Sequence, residues 1–487
     1  MKSVLPMTAL DQLRASLLKG DFVTDTTSLG PYECDALFNV TQRPGAVAVP
    51  RDVAAVRSVL GICAAHGVPI VPRGAGTGLS GGALPIADGV LVTLHKLRDL
   101  AIEPTIQQAV AGPGVVNLLL SEAAASHGLF YAPDPSSQIA STIGGNVAEN
   151  AGGVHCVKYG VTVQNVVGLE LATAAGEQIV LGEGALDQPG YDLLALLCGS
   201  EGLLGLITGV RVRLLPRPPV AHVLLAFMPD LATLGGAVAD IVAAGVVPSG
   251  LEVMDQASLI ASDGLLPHLR LRTDAAGAIL CELDGDGDEV EAATMAVRTV
   301  LARHHAIEIR SAHDAVERQA LWHARKSILP ALLREARDIY IADCTVPRRA
   351  LARSMAAIYA LGREYGIAIV QSFHAGDGNL HPVLVYDASV EGEEARAHAL
   401  AEAILRSVVA EGGVIAGEHG VGVEKLDAMC WQFGETELDL LHGIKAAFDP
   451  EGRLNPGKLL PSLHRCAELG GMHVHNGAIA FPNIPRF

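Results

Sequence analysis

Two histidines separated by a short glycine-rich turn, together with a glutamate from a distant segment, are the residues of this chain best suited to chemistry. Residues 373–381 read Phe-His-Ala-Gly-Asp-Gly-Asn-Leu-His, and Gly-Glu-His-Gly follows at 417–420. A Gly-Asp-Gly-Asn turn can bring two strands, and with them His374 and His381, to one side. With a carboxylate oxygen from Glu418, two imidazole nitrogens would make a divalent-metal site with open coordination positions, suited to zinc, manganese or iron.

The next residue, His419, is a candidate general base. A substrate hydroxyl that filled an open coordination position would lose its proton to a neighbouring imidazole that is not itself a ligand. Each fragment alone is more often structural, because most histidine pairs with this spacing are unrelated and the glycines at 376 and 378 can serve only to shape a turn. Their combination, in a chain that also carries a glycine-rich loop, favours a functional site.

That glycine-rich loop spans residues 73–82 and follows a predicted strand. It matches the pattern G-x-G-x-x-G over 76–81. The dinucleotide fingerprint requires a helix directly afterwards, whereas Pro85 and another predicted strand follow here, so we reject a Rossmann site. The loop holds five glycines, more than a tight turn needs. Its successive backbone N–H groups can still bind a diphosphate, and Thr77 and Ser80 can add hydroxyl donors.

A second glycine-rich stretch covers residues 133–153 and is read as a long loop. It carries little charge and many small hydrogen-bonding side chains. Such a stretch lets a large planar or phosphate-bearing ligand approach the backbone closely. An ordinary loop is the alternative, but loops of this length are usually functional.

Strand and helix patterns divide the chain near residue 217, where prolines at 216, 218 and 219 mark a boundary. The first part combines short strands, helices and a hairpin, and the second alternates strands with helices, so both predict an α+β organisation. The predicted strands lie at 47–50, 68–72, 89–94, 107–112, 170–174, 178–181, 203–214, 222–227 and 277–283. The predicted helices lie at 52–66, 118–127, 231–244, 289–304 and 395–411.

Composition excludes several classes of protein. The net charge is −18 with no basic block, which argues against nucleic acid and anionic membrane surfaces as partners. No apolar run reaches the roughly 18 residues of a transmembrane helix, so a cytoplasmic protein is expected, associated with a membrane only through partners. The eight cysteines form no Cys-x-x-Cys, which argues against an iron–sulfur cluster within this chain.

As a set, the motifs resemble the FAD-linked oxidase family, which shares its flavin fold with vanillyl-alcohol oxidase. The resemblance covers nearly the whole chain, and within the family it points to the FAD-binding catalytic subunits of bacterial glycolate oxidases. The matching family segments are 72–78 (Pro-Arg-Gly-Ala-Gly-Thr-Gly), 141–146, 149–153, 199–208, 373–382, 417–420 and 448–458. The subgroup segments are 31–34, 152–156 and 464–475.

This resemblance implies a two-part flavin-binding domain at 1–217, a cap domain with the metal site at 218–425, and a C-terminal segment at 426–487 that returns to the flavin domain. Members with covalent flavin often carry a histidine in the first loop, where this chain has Ala75, so non-covalent FAD is expected. The residues implied to bind it are Arg73, Gly74, Ala75, Gly76, Thr77, Gly78, Ser80, Pro135, Ser141, Gly144, Gly145, Asn150, Gly153, Glu201, Gly205, Ile207 and Asn455.

The implied reaction is oxidation of a small 2-hydroxy acid: glycolate to glyoxylate, either alone or together with D-lactate to pyruvate. The metal would chelate the substrate, His419 would take the hydroxyl proton, a hydride would pass to the flavin, and Arg325 would clamp the carboxylate. Electrons would leave to partner subunits, one binding FAD and one carrying iron–sulfur clusters, or to a quinone. The alternatives are a stand-alone D-lactate or D-2-hydroxyglutarate dehydrogenase and a non-catalytic flavin-binding assembly subunit.

Overall fold

The chain folds into two compact units. The structure is a computed structural model that describes residues 5–37, 40–182 and 190–462. The first unit comprises residues 1–152, 160–216 and 419–487. The second unit comprises residues 153–159 and 217–418.

The first unit begins with a four-stranded sheet in the order β1-β2-β4-β3. Strands β2, β3 and β4 run parallel, and β1 is antiparallel to β2. Helices Met7–Ser16 and Val53–Ala65 bury apolar side chains against this sheet, and the second helix starts at Asp52, whose carboxylate accepts from the N–H of Ala55. The strands are β1 Phe22–Val23, β2 Ala46–Ala48, β3 Ile70–Arg73 and β4 Val90–Thr93.

A five-stranded antiparallel sheet follows in the order β5-β6-β10-β8-β9, and β7 and β11 form a separate pair. Helices Asn117–Ala125 and Ile143–Glu149 contribute to the apolar core of this sheet. Its strands and the pair are β5 Leu100–Glu103, β6 Gln108–Ala111, β7 Leu129–Phe130, β8 Val166–Ala172, β9 Gln178–Leu181, β10 Leu206–Arg213 and β11 Leu215–Pro216.

Residues from the far end of the described chain complete the first unit. The N–H of Ile70 donates to the carbonyl of Arg453 at 2.8 Å, and the N–H of Asn455 donates back to the carbonyl of Ile70 at 2.7 Å. The C-terminal segment thereby pairs with the outer edge of β3. The further helices of this unit are Thr26–Leu29, Gly30–Tyr32, Pro104–Ile106, Thr162–Asn165, Leu193–Leu197, Leu426–Gln432 and Glu435–Phe448.

The second unit is built on an extended, largely antiparallel sheet. Its strands follow the order β15-β12-β14-β13-β18-β19-β17, and β20 pairs with both β16 and β18. They are β12 Val220–Met228, β13 Gly250–Asp255, β14 Gly277–Gly285, β15 Glu308–Ala312, β16 Asp338–Ile341, β17 Cys344–Thr345, β18 Ala368–His374, β19 Asn379–Leu380 and β20 Pro382–Tyr386.

Alternation along β12 places Val223, Leu225 and Phe227 on one face of this sheet, in a core shared with helical residues such as Leu259 and Ala324. Leu224, Ala226 and Met228 on the opposite face are buried as well, so both faces of β12 are covered over this stretch. The helices of the unit are Cys156–Tyr159, Leu231–Ala243, Gln256–Leu265, Pro267–Leu269, Gly287–Arg303, Ala315–Lys326, Ile328–Glu335, Arg348–Ala350, Leu351–Tyr365 and Glu393–Ala410.

The predicted order of strands and helices is confirmed, with shifts of a few residues at the ends, and no helix follows the glycine-rich loop before β4. The prediction of a loop throughout 133–153 is wrong, because Ile143–Glu149 is a helix capped by Thr142. Burial of Ile143 and Val147 in the core outweighs the low helix propensity of the two glycines between them. Among the described residues, no helix has the length and apolarity needed to cross a membrane. The tail at 464–475 lies outside the described residues.

Candidate metal centre and cofactor loops

The turn between β18 and β19 brings the two histidines together as predicted. The strands are antiparallel, with His374 opposite Asn379, and the ring centroids of His374 and His381 are 5.1 Å apart. Both histidines are buried. The Gly-Asp-Gly-Asn turn therefore places His374, the last residue of β18, close to His381, which lies between β19 and β20.

Glu418 adds a carboxylate to these rings. Its Oε1 lies 3.2 Å from Nε2 of His374 and 3.3 Å from Nε2 of His381. One potential ligand atom from each of the three residues lies within 4.8 Å of the others. His419, the predicted base, follows Glu418 directly in the chain, is half-buried and is counted with the first unit.

Glu252 on β13 is a site residue that the sequence analysis missed. It lies opposite His374 in the β13–β18 register, and its side chain is fully buried. One carboxylate oxygen is 2.7 Å from Nδ1 of His374, and the other accepts from Nε of Arg325 at 2.8 Å. The predicted substrate clamp is thus joined to a predicted metal ligand through one carboxylate. The only signal in the sequence was a glutamate between two apolar residues, Leu251 and Val253.

Asp343 plays a similar part behind Glu418 and His381. Its fully buried carboxylate accepts from the N–H of Gly417 at 2.7 Å and from Nδ2 of Asn379 at 2.8 Å, and it lies 3.5 Å from Nδ1 of His381. The amide of Asn379 occupies the place where a Cβ on residue 417 would stand. A glycine immediately before Glu418 is therefore required by this packing.

The electrostatics of the cluster are those of a site prepared for a cation. Burial disfavours a charged ring at His374, but the carboxylates of Glu252 and Glu418 outweigh it and hold the pKa of His374 well above its usual range. Burial likewise opposes ionisation of Glu418, yet the neighbouring histidines hold its pKa well below the usual value. Two imidazoles and a carboxylate of this kind fit zinc, manganese or iron, and the charge of such an ion would replace that of the proton.

The predicted cofactor loops lie in the first unit. Residues 73–78 leave the end of β3, and Arg73 donates from Nη1 to the carbonyl of Cys34 at 2.6 Å. Among the described residues, Oγ of Ser80, Oγ of Ser141 and Nδ2 of Asn146 are buried without a hydrogen-bond partner. Buried donors of this kind are costly unless a ligand satisfies them. They fit a cofactor with many acceptor oxygens, such as the diphosphate and ribityl chain of FAD.

Glu201 and Asn455 link these loops to the segment that follows the predicted metal ligands. The carboxylate of Glu201 accepts from the N–H groups of Val421 at 2.7 Å and Gly422 at 2.8 Å. Nδ2 of Asn455 donates to the carbonyls of Gly82 at 2.9 Å and Glu201 at 2.6 Å. Both side chains are almost fully buried. The loops and the C-terminal segment therefore form one hydrogen-bonded framework.

The other predicted cofactor residues fall into three groups. Pro135, Gly144, Gly205 and Ile207 are buried in the first unit, and Asn150 ends the helix Ile143–Glu149 in a left-handed conformation. Gly153, in contrast, is the first residue of the short segment that packs with the second unit. The remaining glycines and hydroxyl residues of the two loops, Gly74, Gly76, Thr77, Gly78 and Gly145, are partly exposed, and Ala75 is exposed.

Two family descriptions match the chain: "FAD binding domain" over residues 44–182 and "FAD linked oxidases, C-terminal domain" over 217–459. The chain is 50% identical to glycolate oxidase subunit GlcD of Escherichia coli (strain K12), over 94% of this chain and 92% of that protein. It is 33% identical to a D-lactate dehydrogenase of Archaeoglobus fulgidus, over 86% of this chain and 91% of that protein. The fold is similar to that of 4-ethylphenol oxidase from Gulosibacter chungangensis, with a TM-score of 0.78, 17% identity, and coverage of 95% of this chain and 99% of that structure.

Proposed function

This chain belongs to the FAD-linked oxidase family, and from that membership we propose that it uses FAD to oxidise glycolate to glyoxylate at the cluster of His374, His381 and Glu418. The observation that carries the proposal is the continuous network in which this cluster connects through Glu252 to Arg325. The network combines candidate ligands for a metal ion, which would activate the hydroxyl of a 2-hydroxy acid, with the guanidinium of Arg325, which would bind its carboxylate. The α+β flavin fold and the family resemblance, both expected from sequence motifs, are confirmed.

Each residue of the network has a distinct part in the proposed reaction. Arg325 pairs with the substrate carboxylate and so fixes its orientation. His374, His381 and Glu418 would hold a divalent ion, whose Lewis acidity would lower the pKa of the substrate hydroxyl. His419 accepts the hydroxyl proton. The two glycine-rich loops would hold FAD, which would supply an acceptor for the hydride that leaves the α-carbon.

The reduced flavin then needs an electron acceptor outside this chain. The eight cysteines offer no cluster-binding spacing, and the relative from Escherichia coli is named as a subunit of glycolate oxidase. We therefore propose that electrons pass to partner subunits that carry FAD and iron–sulfur clusters, or to a quinone. Reoxidation of the reduced chain should then be faster with a cell membrane fraction than in anaerobic buffer alone, and an equal rate would contradict the proposal.

An anaerobic visible spectrum of the purified protein, titrated with glycolate, D-lactate and D-2-hydroxyglutarate before and after chelation, tests the proposed reaction. Bleaching of the flavin band by glycolate, lost on chelation and restored by Mn²⁺ or Zn²⁺, is expected. His381→Ala should abolish bleaching. His304→Ala is the matched control, because that imidazole pairs with Asp240 near the surface of the same unit.

The competing functions give different results in this titration. Bleaching by D-lactate alone would identify a D-lactate dehydrogenase, the activity named for the Archaeoglobus fulgidus relative, and bleaching by D-2-hydroxyglutarate alone would identify the diacid enzyme. A flavin that no 2-hydroxy acid reduces would contradict the proposal. In the assembled complex, full turnover with the His419→Ala variant would favour the non-catalytic assembly subunit, because another subunit would then carry out the reaction.

A further inference from the structure

We infer that Glu252 is a positioning residue that fixes the metal ligand His374 and the substrate-binding Arg325 in one arrangement, so that cation and substrate carboxylate are bound at a set distance from each other. The inference rests on the proposed function, and it concerns a residue that touches neither the substrate nor the ion. It is carried by the two short contacts that one fully buried carboxylate makes to both groups.

The contact to His374 determines which ring nitrogen is available. Oε1 of Glu252 lies 2.7 Å from Nδ1, and a carboxylate at that distance holds a proton on Nδ1. Nε2, which lies 3.2 Å from Oε1 of Glu418, is then the ring nitrogen left to bind a cation together with that carboxylate. Carboxylates behind metal-binding histidines typically fix the tautomer and the ring orientation in this way.

The contact to Arg325 determines where the guanidinium points. Oε2 of Glu252 accepts from Nε at 2.8 Å. The four other N–H donors of the planar group can then serve a substrate carboxylate. Arg325 lies in the last turn of the helix Ala315–Lys326, and its side chain is 13% exposed. A long side chain that is already ordered loses less entropy when the substrate binds.

The register of the sheet makes Glu252 well suited to this task. Strand β13 pairs with β18, so Glu252 lies directly across from His374, and directly opposed residues point to the same face of a sheet. Both oxygens of the buried carboxylate have cationic or hydrogen-donating partners, which is the condition under which a buried charge is tolerated. Removing its charge should therefore affect the two partners together.

Glu282 on the neighbouring strand β14 provides a matched control. It is a largely buried carboxylate of the same sheet, with 13% of its side chain exposed, and it also joins an imidazole to the helix Ala315–Lys326. Its oxygens contact Nε2 of His155 at 3.1 Å and Nε1 of Trp322 at 2.5 Å. Glu282→Gln therefore reproduces the loss of a buried charge in the same unit, away from the predicted metal ligands.

The test compares Mn²⁺ binding by calorimetry in the flavin-loaded, metal-free wild type, Glu252→Gln and Glu282→Gln, followed by kcat and KM for glycolate. Glu252→Gln should bind Mn²⁺ about 10- to 100-fold more weakly, and its KM at saturating Mn²⁺ should rise severalfold because Arg325 is no longer held. Glu282→Gln should keep both values within about twofold. If Glu252→Gln does not fold, Glu252→Asp, which keeps the charge but shortens the side chain, replaces it with the same expectations.

Wild-type Mn²⁺ affinity in the Glu252 variant would overturn the inference, as would an equal loss in both variants, since that would reflect only the loss of a buried charge. The proposed function fails separately: a wild type that binds Mn²⁺ but does not oxidise glycolate contradicts it, while the comparison of affinities still decides the role of Glu252. A wild type that binds no divalent ion at a single site would overturn the inference together with the proposed metal site.

Discussion

Gly422, four residues after Glu418, is a position where a single methyl group should strongly destabilise the protein. Its φ is 50°, in the left-handed region, and an added Cβ would overlap the carbonyl oxygen of Ser80. That carbonyl cannot easily retreat, because it accepts from the N–H groups of Val423 at 3.0 Å and Glu424 at 3.1 Å. Left-handed strain costs about 1–2 kcal/mol, and overpacking against fixed atoms costs about 1–3 kcal/mol. Gly422→Ala should therefore lower the free energy of unfolding by about 2–5 kcal/mol.

Gly128 provides a control that separates the cost of the left-handed backbone from the cost of the steric overlap. It also has a positive φ, 69°, but an added Cβ there would meet nothing within 4 Å. Gly128→Ala should consequently show the strain alone, about 1–2 kcal/mol. Both glycines belong to the first unit, so both variants report on the same part of the molecule.

Thermal unfolding of the flavin-loaded protein, followed by circular dichroism and by release of flavin fluorescence, measures the difference. Each kcal/mol should lower Tm by roughly 2–4 °C for a unit of this size, so the Gly422 variant should unfold well below the Gly128 variant. Equal shifts in the two variants would refute the proposed clash with Ser80. A wild-type Tm in both would also refute the strain assigned to the left-handed backbone.

Two further predictions concern carboxylates of the first unit. Burial, and secondarily the charge of Glu201, raise the pKa of Glu149 well above its usual range. The folded protein therefore favours the protonated acid, and the stability that this proton gives is lost as the pH rises through the raised pKa. Glu149→Gln should therefore raise Tm relative to the wild type more at pH 8 than at pH 5, and a difference that does not change with pH would contradict it. Hydrogen bonding by Arg51, reinforced by Lys96, lowers the pKa of Asp21 to about 2. Asp21→Asn should lower the free energy of unfolding by about 1 kcal/mol, a small value because Arg51 is exposed. In urea unfolding, this difference from the wild type should be constant from pH 8 to 5 and should shrink below pH 4. A difference that grows on acidification would rule out this ion pair as the cause.

Local patterns in the sequence were enough to predict the elements that carry the candidate ligands. The turn at 374–379 is encoded by neighbouring residues, so the approach of its two flanking strands could be predicted without knowledge of the rest of the sheet. The helix after Asp52 was equally accessible, because a capping side chain and an apolar face are local signals.

Partners distant in sequence could not be predicted in this way. Glu252 meets His374 only because β13 and β18 pair across more than a hundred intervening residues, and nothing near Glu252 specifies that pairing. Asp343 is concealed for the same reason, since its partner Gly417 comes from another segment. The helix Ile143–Glu149 was missed because its glycines disfavour a helix locally while its apolar side chains are buried by the sheet.

The first unit is built from segments on both sides of the second unit in the sequence, and this affects when it can fold during synthesis. Residues around Leu454 pair with the outer edge of strand β3, and Glu201 accepts hydrogen bonds from the N–H groups of Val421 and Gly422. The ribosome must synthesise all of residues 217–418 between the two parts that make these contacts. At roughly 5–20 residues per second, about 10–40 s pass between the emergence of the first and last parts. During this time the outer edge of β3 lacks its partner segment. The hydrogen bonds that join the cofactor loops to the C-terminal segment can form only when translation of the chain is nearly complete.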